Sequence, residues 1–222
     1  MNQPIETGIC CFQLHDDSCI PTKWYRSISK LIYETDPFIY PALFGRGKEG
    51  EKTATIVLPS VFETNEDAMF SKRNLFVATI NEELVGLILW HKGPLCWDER
   101  IIEQCATRLG VELIKNNLAQ VAREYVADRY LEANDVEEKS LYLINVCVTK
   151  EKRGFGIAKT MLRSFIQCNC TEIMELAVLA DNKPAIGLYR KFGFQVVQRT
   201  AGFSLDAQKP SCLIMSRQVF FT

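Results

Sequence analysis

Apolar residues recur along this chain with two different periods, and the alternation between them predicts a mixture of strands and helices. Leu141-Tyr142-Leu143-Ile144-Asn145-Val146-Cys147-Val148 is filled with aliphatic and β-branched residues and predicts a mostly buried strand. Just downstream, Ile157, Met161, Leu162, Phe165 and Ile166 fall at helical spacing and form one apolar stripe. Earlier in the chain, Gly8 to Leu14 predicts a short strand. Lys23 to Glu34 predicts an amphipathic helix, opened at Pro21-Thr22 and stopped by Asp36-Pro37. Phe38 to Phe44 is apolar and aromatic, Gly45 to Gly50 reads as a plain loop, and Ser60 to Phe70 as another short helix. Asn74 to Ile80 and Leu84 to His91 predict a hairpin across Asn81-Glu82-Glu83. Ile173 to Leu179 reads as a strand, and 194–200 and 212–219 supply two closing strands. No internal repeat or low-complexity tract is present.

Between the strand ending at Val148 and the helix opening at Ile157 lies Arg153-Gly154-Phe155-Gly156-Ile157-Ala158. Two glycines remove the side chains that would hold a ligand off the backbone. The first N–H groups of the helix have no intrahelical partner, and the helix dipole favours an anion there. Lys150, Lys152, Arg153 and Lys159 surround the turn against one acid, Glu151, so the local field is positive as well. Strand, glycine turn and helix together make a phosphate cradle. It is not a P-loop, because no Gly-Lys-Ser/Thr closes it, and it lacks the third glycine of the dinucleotide fingerprint.

Arg153-x-x-Gly156-x-Ala158 after a Val-ending strand resembles the pyrophosphate-binding signature of the GNAT N-acetyltransferases. A second match follows at the spacing of one helix plus one strand. Asn182-x-x-Ala185-x-x-Leu188-Tyr189-x-x-x-Gly193-Phe194 resembles that family's other signature. Asn182 is a good N-cap, Pro184 suits a first helical turn, and Gly193 reads as the left-handed residue ending the helix. The resemblance covers about residues 72 to 200 (element sizes taken as typical); the first seventy match in outline only. It implies an α+β, three-layer fold over one domain, 1–222. Its central sheet is mixed, mostly antiparallel, of about six to seven strands flanked by helices. It also implies acetyl transfer from acetyl-CoA to a primary amine of a small molecule or protein, by direct attack on the thioester. The family strand before the glycine turn splays from its neighbour, so the backbone of Val146, Cys147 and Val148 pairs with the pantetheine arm and an N–H there polarises the thioester carbonyl. Arg153, Gly154, Phe155, Gly156, Ile157, Ala158, Lys159 and Asn182 are the cosubstrate-binding positions that it implies. Tyr189 is the implied acid: a phenol of pKa about 10 can protonate a leaving thiolate. The ordinary alternative for Tyr189 is packing beside Ala185, Leu188 and Phe192. A different class of function, a non-catalytic acyl-CoA-binding sensor, is weighed against the enzyme; intact glycines and Tyr189 favour the enzyme.

The family's third and fourth strands are normally joined by a short turn, whereas 92–139 here form a long helical insertion. From Asp98, Ile101, Ile102, Cys105 and Leu109 share one face, and after Gly110 the pattern resumes through Leu113, Leu118, Val121, Tyr125 and Val126, as two helices or one bent helix. Residues 98–138 hold five basic and ten acidic residues. A solvated face with a packing or homodimer contact is the ordinary reading, and a lid attracting a cationic amine is the alternative. The general base is not singled out; Glu137, Glu138, Asp36 and Glu63 are candidates, and the aromatic stretch Tyr33 to Phe44 is either a wall of the acceptor side or an apolar clamp on the core. Tyr142 and Asn145 either face the acceptor or pack.

Composition restricts the classes further. The chain has 222 residues, 47% of them hydrophobic, and a net charge of −1, which argues against a nucleic-acid binder. It shows no membrane-length apolar run, and Met1 to Cys11 has no signal-peptide pattern. Nine cysteines, with no Cys-x-x-Cys and only His15 and His91 as histidines, read as free, mostly buried thiols of a cytoplasmic protein without a metal. Cys147 is read as incidental rather than as an acetylated nucleophile, since no base partner is identifiable.

Overall fold

The computed structural model describes residues 8–15, 20–37, 39–64, 69–93, 99–113, 140–170, 173–200 and 211–218. The elements run β1 (Ile9–Gln13), α1 (Thr22–Thr35), α2 (Ile39–Phe44), α3 (Gly47–Phe62), β2 (Leu75–Ile80), β3 (Glu83–Lys92), α4 (Glu99–Arg108) and β4 (Leu141–Val148). They continue with α5 (Ile157–Cys168), β5 (Met174–Leu179), α6 (Lys183–Lys191), β6 (Gln195–Thr200) and β7 (Cys212–Arg217). Seven strands form one sheet in the order β1-β2-β3-β4-β5-β7-β6. Each neighbouring pair is antiparallel except β4 and β5, which are parallel. The mixed, mostly antiparallel sheet between helical layers agrees with the fold class expected.

Alternation along the strands sends apolar side chains to both faces. Val77, Leu87, Leu89 and Cys147 meet Ile28, Ile32, Val57, Leu58 and Phe62 of the N-terminal helices on one face. Phe76, Ile88, Leu143 and Val148 meet Ile157, Met161, Phe165, Ile186 and Tyr189 of α5 and α6 on the other. Burial on this scale supplies the main driving force, roughly 1.5–3 kcal/mol for each large apolar side chain. Gly86 permits the close seat of α5: a Cβ there would lie 2.8 Å from the Cys147 carbonyl oxygen and 3.2 Å from Met161 Sδ.

Three expectations are corrected. The loop at Gly45–Gly50 and the helix at Ser60–Phe70 are replaced by a short turn and one helix, α3, covering Gly47–Phe62. Gly45 and Gly47 adopt positive φ (99° and 66°), and Tyr33 Oη donates to the Gly45 carbonyl at 2.7 Å. A Cβ at Gly50 would collide with that carbonyl, so a polar, glycine-rich string folds as the tightly closed start of a helix. Ala54, Val57, Leu58, Val61 and Phe62, at helical spacing and all buried, carry the helix past Pro59. In the insertion, Ile101, Ile102, Cys105 and Ala106 of α4 are buried as expected, but Leu109 follows the helix end and is 46% exposed. The stretch 114–139, with Glu137 and Glu138, lies outside the described residues. Among the described residues the cysteines are only partly buried: Cys10, Cys168 and Cys170 are exposed, while Cys105, Cys147 and Cys212 are buried.

Candidate active site

The strand that precedes the glycine turn has two different neighbours along its length. β4 pairs with β3 from Leu141 through Val148, but with β5 only at Leu141, Tyr142 and Leu143, opposite Met174, Glu175 and Leu176. Beyond that rung β5 stays paired with β7 out to Leu179. The two parallel strands therefore part, leaving the β5-facing edge of Ile144–Val148 and the β4-facing edge of Ala177–Leu179 without ladder partners. Unpaired backbone donors and acceptors in a half-buried cleft call for a partner, and an extended chain with amide groups supplies one.

A β-bulge sets which side chains line this cleft. Leu89 pairs with Asn145 and Trp90 with Leu143, so Ile144 is the extra residue. Before it Leu141 and Leu143 face α5; after it Val146 and Val148 do, and Asn145 and Cys147 join Tyr142 on the face of α1 and α2. Asn145 is 4% exposed and its Oδ1 accepts from Tyr40 Oη at 2.8 Å. Within the aromatic stretch Tyr33–Phe44, Tyr33, Tyr40, Leu43 and Phe44 are buried core, and Tyr40 also reaches β4.

At the end of β4 the chain makes a single 3₁₀ turn, Lys150–Lys152, and the Arg153 Nε donates to the Val148 carbonyl at 3.0 Å. Gly154 (φ 85°) and Gly156 (φ 80°) then turn the backbone into α5. No side chain caps that helix, and a Cβ built on either glycine meets nothing within 4 Å. The open space over the first N–H groups of α5, ringed by exposed Lys150, Arg153 and Lys159, suits a pyrophosphate. Across the cleft, Asn182 Oδ1 accepts from Ala185 N at 3.2 Å and caps α6.

Tyr189 on α6 is 8% exposed, with its ring 5.8 Å from Phe194 at 60°. Burial, and secondarily the neighbouring Cys147 thiol, push its phenol well above the usual range, so it holds its proton. Burial likewise raises the Cys147 thiol to about 12. Its Sγ lies 2.7 Å from Thr35 Oγ1, and the Thr35 hydroxyl itself donates to the Leu31 carbonyl at 2.6 Å. The single Thr35 proton is thus spent, and Cys147 is the donor of the pair, a protonated anchor between β4 and the end of α1. Cys147→Ala is expected to leave kcat at the wild-type value while lowering stability by about 1 kcal/mol; paired turnover and melting measurements check this.

Of the four carboxylates proposed from sequence, the two within the described residues, Asp36 and Glu63, have other partners. Asp36 Oδ1 accepts from Ile39 N at 2.8 Å and caps α2, and Glu63 pairs with Lys72 at 3.8 Å. Among the described residues no cluster of His, Cys, Asp and Glu could hold a metal, and no helix is long and apolar enough to cross a membrane.

A sheet that splits beside a glycine turn and an uncapped helix defines the class to which the comparisons also point. The model of the acetyltransferase (GNAT) family matches residues 51–194. The chain belongs to that family. The L-amino acid N-acetyltransferase AaaT of Escherichia coli (strain K12) is 28% identical over 111 residues, 48% of this chain. The match spans 64% of that relative, less than two thirds of its length. An N-acetyltransferase from Staphylococcus aureus Mu50 has a TM-score of 0.56 at 14% identity, over 93% of this chain and 99% of that one. The protein PH1933 from Pyrococcus horikoshii OT3 has a TM-score of 0.53 at 19% identity, over 96% and 99%. Both structures share the fold.

Proposed function

We propose that this chain transfers the acetyl group of acetyl-CoA to an amine by direct attack on the thioester. The parting of β4 from β5, ending at Gly154, Gly156 and the open N-terminus of α5, is the observation that carries this reading. Gly154 to Lys159 bind the pyrophosphate through backbone N–H groups, with Arg153 and Lys159 adding positive charge. Asn182 shapes the opposite wall by fixing the start of α6. The free edge of Val146–Val148 pairs with the pantetheine amides, and a backbone N–H of that edge takes the developing oxyanion. Tyr189, protonated, gives its proton to the leaving thiolate and recovers one from solvent. The acceptor is a small amino compound or a protein amine; the amino-acid relative favours the α-amino group of a small molecule. Thiols, three of those among the described residues exposed, suit a reducing cytoplasm.

The test is release of free thiol from acetyl-CoA against a panel of L-amino acids, polyamines and short peptides. Amine-dependent release with at least one of them is expected. Tight coenzyme A binding with no turnover on any amine would move the chain to the sensor class.

A further inference from the structure

One polar row crosses the sheet on the face of α1 and α2, and nothing in the transfer steps above uses it. His91 on β3 is the register partner of Tyr142 on β4, Tyr142 of Glu175 on β5, and Glu175 of Ser216 on β7. Register partners share a face, and neighbouring strands lie about 4.8 Å apart, so these side chains stand side by side. The face is set by their neighbours: Leu141, Leu143, Met174, Leu176 and Met215 all point to the α5 and α6 side. Glu175 and Tyr142 occupy the rung next to the last one before β4 and β5 part.

We infer that Glu175 is the general base that takes the proton from the acceptor ammonium, with Tyr142 and His91 as its lateral neighbours at the foot of the cleft. Three observations carry this. First, Glu175 is a half-buried carboxylate on the α1 and α2 face of the sheet, one rung short of the last pairing before the split, and is held by the Ser216 side chain. Second, His91 is 9% exposed and its Nδ1 has no hydrogen-bond partner, so the row ends in a buried polar atom that calls for a ligand or water. Third, Tyr189 enters from the opposite face, in the apolar layer of α5 and α6. Acid and base thus flank the split from two sides, which lets the amine approach from one face and the thiolate leave towards the other.

The inference rests on the amine-acetylation reading, and the proton count closes within it. The Glu175 carboxylate takes one proton from the ammonium. The freed amine forms the C–N bond, the C–S bond breaks, and Tyr189 protonates the sulfur. The proton lost by the new amide nitrogen and the one held by Glu175 then pass to solvent, from which Tyr189 recovers its own. Burial raises the Glu175 carboxyl above its usual range, with the Ser216 hydrogen bond opposing it only in part, and brings its basicity nearer that of the ammonium. The groups facing it among the described residues are the Tyr142 phenol and the Ser216 hydroxyl, with His91 one strand beyond Tyr142 and Gln195 one strand beyond Ser216.

The experiment uses the full chain, acetyl-CoA, and two nucleophiles: L-amino acids, protonated at neutral pH, and hydroxylamine, which is neutral there and needs no base. Glu175→Gln is expected to lower kcat with the amino acid by about 10²–10⁴-fold and to erase the acid limb of its pH profile. It should leave KM for acetyl-CoA unchanged and spare most of the rate with hydroxylamine. A carboxyl raised in the folded state opposes folding once ionised, so stability is lost as pH rises through its folded value. The neutral amide should therefore melt no lower than wild type at neutral pH. Glu175→Asp should keep the acid limb. Equal losses with both nucleophiles, a lowered melting temperature that Asp does not restore, or an undiminished Gln variant would overturn the assignment. A wild type that releases no thiol with either nucleophile overturns the transfer reading itself and this assignment with it. An active wild type beside an undiminished variant overturns the assignment alone.

Discussion

Gly156→Glu is expected to abolish coenzyme A binding while leaving the protein folded. Gly156 sits at φ 80°, and any other residue there pays roughly 1–2 kcal/mol for the left-handed conformation. That cost is tolerable in a stable domain, and a Cβ at the position meets nothing within 4 Å, so the fold has room for the side chain. The same open space is where a pyrophosphate must come. A carboxylate placed there occupies the first N–H groups of α5, takes the favourable end of the helix dipole, and repels a second anion. Gly156→Ala, which carries the strain without the charge, should weaken binding only modestly. Calorimetry on the two variants, with melting curves beside it, separates strain from occupancy. Wild-type binding by the Glu variant would show that the pyrophosphate lies elsewhere.

Tyr189→Phe should lower kcat by about 10²–10⁴-fold with acetyl-CoA affinity retained. The substitution keeps the ring against Phe194 and the buried place in α6, and removes only the hydroxyl. Burial keeps that hydroxyl protonated across the working pH range, so its loss removes a donor and changes no charge. The fall should appear in kcat, and least with acyl donors whose thiol is a good leaving group. An unchanged rate of the chemical step, measured in a single turnover, would make Tyr189 a packing residue.

The neighbourhoods of the two signatures were legible because their chemistry is local. The left-handed Gly193, the Asn182 cap and the apolar stripe of α5 each follow from a few adjacent residues. The β2–β3 hairpin was legible for the same reason, although its turn is shorter than read: Asn81 and Glu82 alone carry positive φ, and Glu83 already begins β3. The N-terminal region was less so. Gly45–Gly50 has loop composition, and its helical outcome depends on Tyr33, twelve residues away from Gly45, closing over the turn. Asp36 and Glu63 looked like bases because carboxylates were the only clue available. What they cap or pair with is a matter of where α2 and Lys72 lie. Glu175 was passed over, since in the chain it is only a polar interruption of an apolar strand.

By itself the sequence determined the order of strands and helices from β2 onward outside the insertion, the anion-binding turn, and the family to which these belong. Each of these is written in short-range periodicity or in the φ preference of single glycines. Only the tertiary structure decided where β4 parts from β5, that Ile144 is bulged, and hence that Tyr142, Asn145 and Cys147 share a face. A strand's alternation predicts two faces, but an extra residue exchanges them, and whether one is extra depends on the neighbouring strand's register. The row from His91 to Ser216 spans 125 residues of chain and exists only because four strands are in register.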